Sequence, residues 1–292
     1  MTSHSSILQP VEGTPLVDLH THSSASDGSL SPSQLIDEAV HRELSAIALT
    51  DHDTIDGLAE ASLASQRRGI HFIPGIEISL TWEPGEFHLL GLGLQDIDHG
   101  FRQAAEDLGQ MRERRNREIT TRLCKMGIHT EYEEIMALAG GRSVGRPHFA
   151  EFLIQKKIVR NMEQAFDRYL GKGRPLYVPK EGLSFQTAVS LIRDAGGITV
   201  LAHPLSLYVA WGKLPAIIGS LKKQGLDGLE AWHPSARTVE CKRLEALADS
   251  LGLIITAGSD FHGKVRKERK LGRTAGGLPI RMDVGFLFGE YR

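Results

Sequence analysis

The sequence predicts an α/β fold, either a parallel barrel or a doubly wound sheet. Three observations predict it. Short apolar runs alternate with amphipathic segments in a βα rhythm. Helix starts and stops are marked locally by capping residues and glycines. Each apolar run carries or ends in a side chain able to bind a metal ion, and in βα barrels the C-terminal strand ends share one rim where active sites lie.

PLVDLHTH, from Pro15, reads as strand one. Ser31-Pro32-Ser33-Gln34 is a helix start: serine at the N-cap, proline in the first turn, glutamine reaching back. The helix QLIDEAVHREL follows, then strand two, SAIALTDHD. TIDGLAEASLASQRR is a second helix, stopped by Gly69. HFIPGIEISL and FHLLGLGL are strands three and four.

Near residue 100 the texture changes. Residues 101–126 form one long, charge-rich amphipathic helix, with Phe101, Ala104, Ala105, Leu108, Met111, Ile119, Leu123 and Met126 at helical spacing. Its Arg112, Arg114, Arg115, Arg117, Arg122 and Lys125 suggest a solvated face, one flank of which is open to a substrate channel. Further helical segments run to about residue 172, with glycine-rich turns at 140–145 and 171–173. The expected division is therefore a first barrel part at 1–99, a mostly helical insertion and substrate lid at 100–180, and a second barrel part at 181–292.

The βα rhythm then resumes. SFQTAVSLIRDAG is a helix ending at Gly196, and ITVLAHP is strand five. KLPAIIGSLKKQG, LDGLEAWHP, SARTVECKRLEALADSLG and LIITAGSDFH read as helix, strand six, helix and strand seven. Residues 1–14 read as a loose leader. The basic loop at 264–273 has two readings, RNA contact or a mobile segment.

Bulk properties bound the function. With 292 residues, net charge −2 and a pI near 6.7, no global basic field points to nucleic acid. Hydrophobic content of 41% against 6% aromatic predicts an aliphatic core. Cys124 and Cys241 match no zinc-binding spacing and are expected to pack as small hydrophobes. No apolar run reaches the roughly 18 residues of a membrane span, and no signal-peptide pattern opens the chain. A soluble cytoplasmic protein with no membrane association and no obligate protein partner is expected.

The 13 histidines matter through their placement. Strand one supplies His20 and His22, strand two Asp51 and His52, strand three Glu77 and strand four His88. Strand five supplies His203, strand six His233, and strand seven Asp260 and His262. Residues i and i+2 of a strand face the same way, so His20 and His22 can share an ion, as can Asp260 and His262. Asp18, on the same face, is placed to orient a ligand imidazole. Imidazole with carboxylate and no thiolate suits Mn(II), Fe(II) or Zn(II). So many ligands suit two or three ions, with Glu77 a natural bridge. His4, His41, His71, His99 and His129 fall off this pattern.

At these residues the chain resembles the PHP (polymerase and histidinol phosphatase) family. The matching segments are DLHTHSSASDGS (18–29), TDHDT (50–54), PGIEIS (74–79) with His88 beyond it, LAHP (201–204) and GSDFH (258–262). The resemblance implies a distorted seven-stranded (β/α)7 barrel and three metal ions, Mn(II) favoured. His20, His22, Glu77 and Asp260 would bind the first and form the catalytic set. Glu77, His88 and His203 would bind the second, and Asp27, His52 and His262 the third.

Many members have histidine where Asp27 stands. Aspartate there resembles the 3′,5′-nucleoside bisphosphate phosphatases, a subgroup that includes enzymes trimming RNA from the 5′ end. GRPHFA (145–150) is similar to that subgroup's substrate-binding segment. Substrate contacts would come from Asp27, His52, Arg146, Pro147, His148 and His233, with Arg146 a phosphate clamp. A turn-capping role for Arg146 and a structural role for His233 remain open. The expected partner is a small nucleotide, with short single-stranded RNA a further substrate class. The alternatives are a phosphatase for histidinol phosphate or another small monoester, and a non-catalytic, metal-stabilised accessory module.

Overall fold

The computed structural model describes residues 13–139 and 144–287. The expected leader, apart from its last two residues, and most of the glycine-rich turn at 140–145 lie outside them.

Seven strands form one sheet in sequence order. They are β1 (Val17–Asp18), β2 (Ala46–Leu49), β3 (His71–Leu80), β4 (Phe87–Leu92), β5 (Ile198–Leu201), β6 (Gly228–Trp232) and β7 (Ile254–Ala257). The first helix α1 (Pro32–His41) opens with the expected capping box, in which the Ser31 hydroxyl accepts from the backbone of Gln34 and the Gln34 side chain accepts from the backbone of Ser31. Helix α2 (Leu58–Arg68) ends where Gly69 takes a left-handed conformation that costs glycine little.

The sheet is not uniformly parallel. β4 runs antiparallel to both β3 and β5, while the remaining neighbours are parallel. The cause lies in chain length: residues 81–86 join β3 to β4, far too few for the crossover of a dozen or more residues that parallel neighbours need. Reversing β4 places its N-terminal end on the rim where the parallel strands end. His88, the second residue of β4 and paired with Ser79, therefore joins the other rim residues.

The barrel nearly closes. Beyond the regular ends of β1 and β7, the His22 N–H donates to the Phe261 carbonyl at 2.9 Å and the Asp260 N–H to that of His20 at 2.8 Å. Leu16 bridges Arg281 on the opposite end. An aliphatic core fills the interior, joined by fully buried Trp232, as a low aromatic content implies. Cys241 is buried in that core, whereas Cys124 is half-buried, its thiol 3.3 Å from the Thr130 carbonyl.

Between β4 and β5 lie α3 (His99–Lys125), α4 (Tyr132–Leu138), α5 (Arg146–Gln155), α6 (Met162–Ala165) and α7 (Phe185–Asp194), with a π-helical turn at Phe166–Leu170. The middle of this segment has a core of its own, built on Ile119, Leu123, Ile135, Phe149, Phe152 and Leu153. Helices α8 (Leu214–Lys223) and α9 (Thr238–Leu251) complete the βα alternation.

Helix α3 departs from expectation. Its inward face is apolar at Phe101, Ala105 and Leu108, polar at Arg115 and Asn116, and apolar again from Ile119. Arg112 is also largely withdrawn from solvent and pairs with Asp53. Two of the arginines assigned to a solvated face are thus turned inward, while Arg114, Arg117 and Lys125 are exposed. Among the described residues, no helix is long and apolar enough to cross a membrane.

Candidate metal centre

The extended run after β1 points His20 and His22 to one side, as two-residue spacing requires. Their Nε2 atoms lie 3.1 Å apart. Glu77 Oε2 is 3.4 and 3.3 Å from them, and Asp260 Oδ1 is 3.7 and 3.2 Å. The other Glu77 oxygen faces the remaining strands: Oε1 is 2.7 Å from His88 Nδ1 and 3.0 Å from His203 Nε2. His52 turns Nδ1 to Glu77 Oε2 at 2.8 Å and Nε2 toward Asp27 Oδ2 at 3.8 Å. His262 Nε2 is 3.2 Å from Asp27 Oδ1. The nine residues proposed as ligands from sequence therefore converge around Glu77, from positions 20 to 262.

The donors suit cations. Three or four ligand atoms come within 4.8 Å of one another in several combinations, among them His22–Asp27–His52–His262, His20–His22–Asp260 and His52–Glu77–His88. His22 Nδ1, Asp27 Oδ1, His52 Nδ1, Glu77 Oε2 and His262 Nε2 are buried without a well-directed hydrogen bond, despite close neighbours. Buried polar atoms rarely go unsatisfied, and here the His52 Nδ1–Glu77 Oε2 and His262 Nε2–Asp27 Oδ1 pairs lie at 2.8 and 3.2 Å without the geometry of a hydrogen bond. Electrostatics agree. Burial opposes protonation of His20, yet the carboxylates of Glu230 and Glu77 outweigh it and hold the ring up to about 10. Glu77 is held well below the usual carboxylate range by His52, His88 and His20, against its burial. Burial and neighbouring positive groups hold the His22 and His88 rings well below the usual imidazole range.

A supporting layer sets the ligand geometry, and sequence reasoning misplaced part of it. Asp18 does not touch an imidazole. It accepts from the backbone N–H groups of His20, Ser259 and Gly272, at 3.3, 2.9 and 2.8 Å, tying β1 to the strand-seven exit and the loop beyond. Glu230 of β6 does the orienting instead, with Oε1 2.9 Å from His20 Nδ1. A lone carboxylate inside the fully buried strand GLEAW was the available signal. Asp51 is a loop anchor: it accepts from Ser23 and Ser26, fixing the turn that carries Asp27.

Backbone strain is also found on this rim, at three of the six described non-glycine residues with positive φ. Asp53, His203 and Asp260 all have positive φ, at 55°, 27° and 50°, a conformation costing non-glycine residues about 1–3 kcal/mol. At position 258 glycine is required by contact, since a Cβ there would lie 2.2 Å from His20 Cβ.

The remaining candidates line the mouth. His233 bridges Ser235 Oγ at 2.7 Å and Asp260 Oδ2 at 3.1 Å. Arg269 ion-pairs with Asp260, so the basic loop packs onto the rim at that point. Arg146 and Pro147 occupy the first turn of α5. Arg146 ion-pairs with Glu86, while His148 Nδ1 accepts from the Gly145 N–H at 3.0 Å. A cavity of about 320 Å³ contains Glu86, His88, His203, His233, Asp260 and Arg269 in its wall. Lys180, which sequence reasoning did not single out, donates to His88 Nε2 at 2.8 Å. Burial and the nearby Arg112, Arg115 and Arg146 push its amine down to about 7, against the pull of Asp53.

The PHP domain matches residues 18–174. The chain belongs to the PHP family. A 5′-3′ exoribonuclease of Haemophilus influenzae is 38% identical over 85% of this chain and 90% of its own length. A 3′,5′-nucleoside bisphosphate phosphatase of Chromobacterium violaceum is 34% identical over 90% of this chain and 93% of its own. Among solved structures, an amidohydrolase from Chromobacterium violaceum with bound sulfate and no metal superposes with a TM-score of 0.84 at 33% identity, covering 94% of this PHP chain and 96% of the other. A candidate metal-dependent phosphoesterase from Bifidobacterium adolescentis gives 0.81 at 26% identity, over 97% and 96%.

Proposed function

We propose that this PHP protein is a metal-dependent phosphatase that removes the 3′-phosphate of nucleoside 3′,5′-bisphosphates, with short 5′-phosphorylated RNA as a second substrate class. The observation that carries the proposal is the convergence of buried imidazole and carboxylate donors around Glu77, in groups of three or four within 4.8 Å of one another. The substrate class leans on the full-length relatives that bear those activities in their names.

On this reading His20, His22, Glu77 and Asp260 hold one ion, Glu77, His88 and His203 a second, and Asp27, His52 and His262 a third, with Mn(II) favoured. Divalent ions in such a cluster lower the pKa of water toward about 7 and neutralise phosphoryl oxygens. The chain itself supplies position. Glu77 offers each of its oxygens to a different group of histidines. Arg146, exchanging Glu86 for a phosphate, would clamp the substrate bidentately. Pro147 fixes the first turn of α5, with His148 beside it, and Asp27 and His52 border the same space. His233, in the wall of the cavity that also holds Glu86, would contact the phosphate or assist protonation of the leaving oxygen. Residues 100–180 act as a lid over the barrel parts at 1–99 and 181–292, a division supported by the separate core around Phe149 and Phe152.

Phosphate release should be measured with Mn(II) on nucleoside 3′,5′-bisphosphates, histidinol phosphate and 5′-phosphorylated RNA oligomers. The bisphosphates should give the highest kcat/KM, with slower release of nucleotides from RNA. Preference for histidinol phosphate, or no turnover of any of the three by metal-loaded protein, would refute the assignment.

A further inference from the structure

The loop after β7 concentrates positive charge at the edge of the metal centre. Residues 263–273 carry Lys264, Arg266, Lys267, Arg269, Lys270 and Arg273 against one acid, Glu268, in a chain whose net charge is −2. Both ends of the loop are fixed. The Lys264 N–H donates to Ser29 Oγ at 2.8 Å. Leu271 is buried in a cluster with Leu35 and Ile36 of α1, and the Gly272 N–H donates to Asp18 Oδ2 at 2.8 Å.

Between these anchors the chain turns tightly. Gly263–Arg266 form one turn of 3-10 helix, and the Arg269 N–H donates to the Arg266 carbonyl at 3.1 Å. Three residues per turn bring every third side chain to the same side. Arg266 and Arg269 accordingly face the metal centre. Both stand in the wall of the cavity that holds His233 and Asp260, and Arg269 pairs with Asp260. Lys264, Lys267 and Lys270 are exposed. With Arg42 they line a second cavity, of about 560 Å³, between the loop and α1. Glu38, the carboxylate in that wall, is already paired with Arg42. Arg269 belongs to both walls, so the second cavity begins where the metal centre opens.

Single exposed lysines are ordinary. Three aligned in one hollow repel one another and attract a polyanion. We propose that the groove between α1 and residues 263–273 is an exit track for single-stranded RNA, holding backbone phosphates downstream of the nucleotide at the metal centre. The inference rests on the nucleotide phosphoesterase reading above and deepens it: the lysine row gives longer strands an affinity that mononucleotides lack. A concave groove suits a strand better than a flat anionic membrane. Its aromatic residue, Phe261, is 8% exposed and offers no stacking face, so the contacts are to phosphate and independent of base sequence.

The test uses a triple variant, Lys264→Gln with Lys267→Gln and Lys270→Gln, in the Mn(II)-loaded full chain. A control variant, Lys213→Gln with Lys223→Gln and Lys242→Gln, removes the same charge from exposed positions elsewhere. The binding probe is a dodecanucleotide RNA with a 3′ fluorophore and a methylphosphonate at its 5′-terminal linkage, which resists removal of the first nucleotide. By fluorescence anisotropy the loop variant should bind it about 10-fold or more weakly, and the slope of log affinity against log salt should shrink by about 2, the change for three lost phosphate contacts on a single strand. The control variant should match wild type, and a trinucleotide form of the probe should bind wild type and loop variant alike. Equal losses in the control, or an unaltered salt slope, overturn the track. So does a loop variant that releases phosphatidylserine vesicles while holding RNA as wild type does.

Turnover gives a second readout. kcat/KM for a 5′-phosphorylated dodecanucleotide should fall about 10-fold in the loop variant, with little change for a nucleoside 3′,5′-bisphosphate, which has no downstream backbone. Equal losses on the two substrates would assign the lysines to the mononucleotide site or to the fold, and overturn the track. Wild-type protein inactive on every nucleotide substrate would instead remove the functional reading, leaving the anisotropy of the blocked probe to decide the track.

Discussion

Glu230 holds His20 from behind: its Oε1 lies 2.9 Å from His20 Nδ1, while its Oε2 accepts the His203 backbone N–H at 2.7 Å. One carboxylate thus fixes an imidazole from strand one and the backbone beside an imidazole from strand five. The bond at Nδ1 turns His20 Nε2 toward His22, Glu77 and Asp260. Outer partners of this kind set ligand orientation and basicity. Glu230→Gln should therefore weaken metal binding about 10- to 100-fold without removing a ligand. Metal titration followed by calorimetry checks it, and excess Mn(II) should recover most of the activity.

The two oxygens of Glu77 face two different histidine groups, Oε2 toward His20, His22 and His52 and Oε1 toward His88 and His203. Glu77→Ala should bring turnover to background, as should His20→Ala, because either change opens the shared part of the cluster. Metal content per chain, read by elemental analysis, should drop in Glu77→Ala by more than in His88→Ala, which removes a ligand from one group. Equal losses would argue against a bridging role for Glu77.

The candidate ligands also act on the fold, since they come from strands at both ends of the chain. Metal bound to the native state alone stabilises it in proportion to the logarithm of its concentration over Kd, about 4 kcal/mol at a thousandfold excess. Chelation should therefore lower the thermal midpoint by several degrees, and Mn(II) should restore it. An unchanged midpoint would mean that the cluster binds no metal with useful affinity.

Gly258 is where β7 passes against β1. A methyl group there would meet His20 Cβ at 2.2 Å and Glu230 Oε1 at 2.7 Å. Gly258→Ala should cost about 1–3 kcal/mol in urea unfolding, the range for overpacking a tight core. It should also lower metal affinity if His20, which it displaces from its contact with Glu230, is a ligand.

Arg146 stands at the start of α5 with Glu86 as its partner. If it clamps phosphate, Arg146→Ala should raise KM for a nucleoside bisphosphate about 10-fold or more, as loss of a charged hydrogen bond implies. Steady-state kinetics unchanged by the substitution would assign Arg146 to the turn before Pro147 instead.

Much of this could be read along the chain. Caps at Ser31 and Gly69 bound helices because they act on backbone groups a few residues away. His20 and His22 face one side because strand geometry has a two-residue period. The six-residue link between Leu80 and Phe87 already implied a hairpin, although the alternation elsewhere suggested a parallel neighbour. The α/β architecture and the residues meeting at its rim were thus encoded in local pattern and in the convergence that a closed sheet imposes.

Tertiary structure alone decided which polar residues support the others. Asp18 and Glu230 both sit in buried strands, but one secures backbone and the other an imidazole, according to which strand end each meets across the barrel. Arg112 and Arg115 look like solvent-facing charges in a charged helix, and turn inward because α3 lies across the rim beside Asp53. Local sequence carries periodicity and chirality, which act over a few residues. The partner of a buried charge is chosen by packing between segments as much as 254 positions apart, and no short-range pattern records that choice.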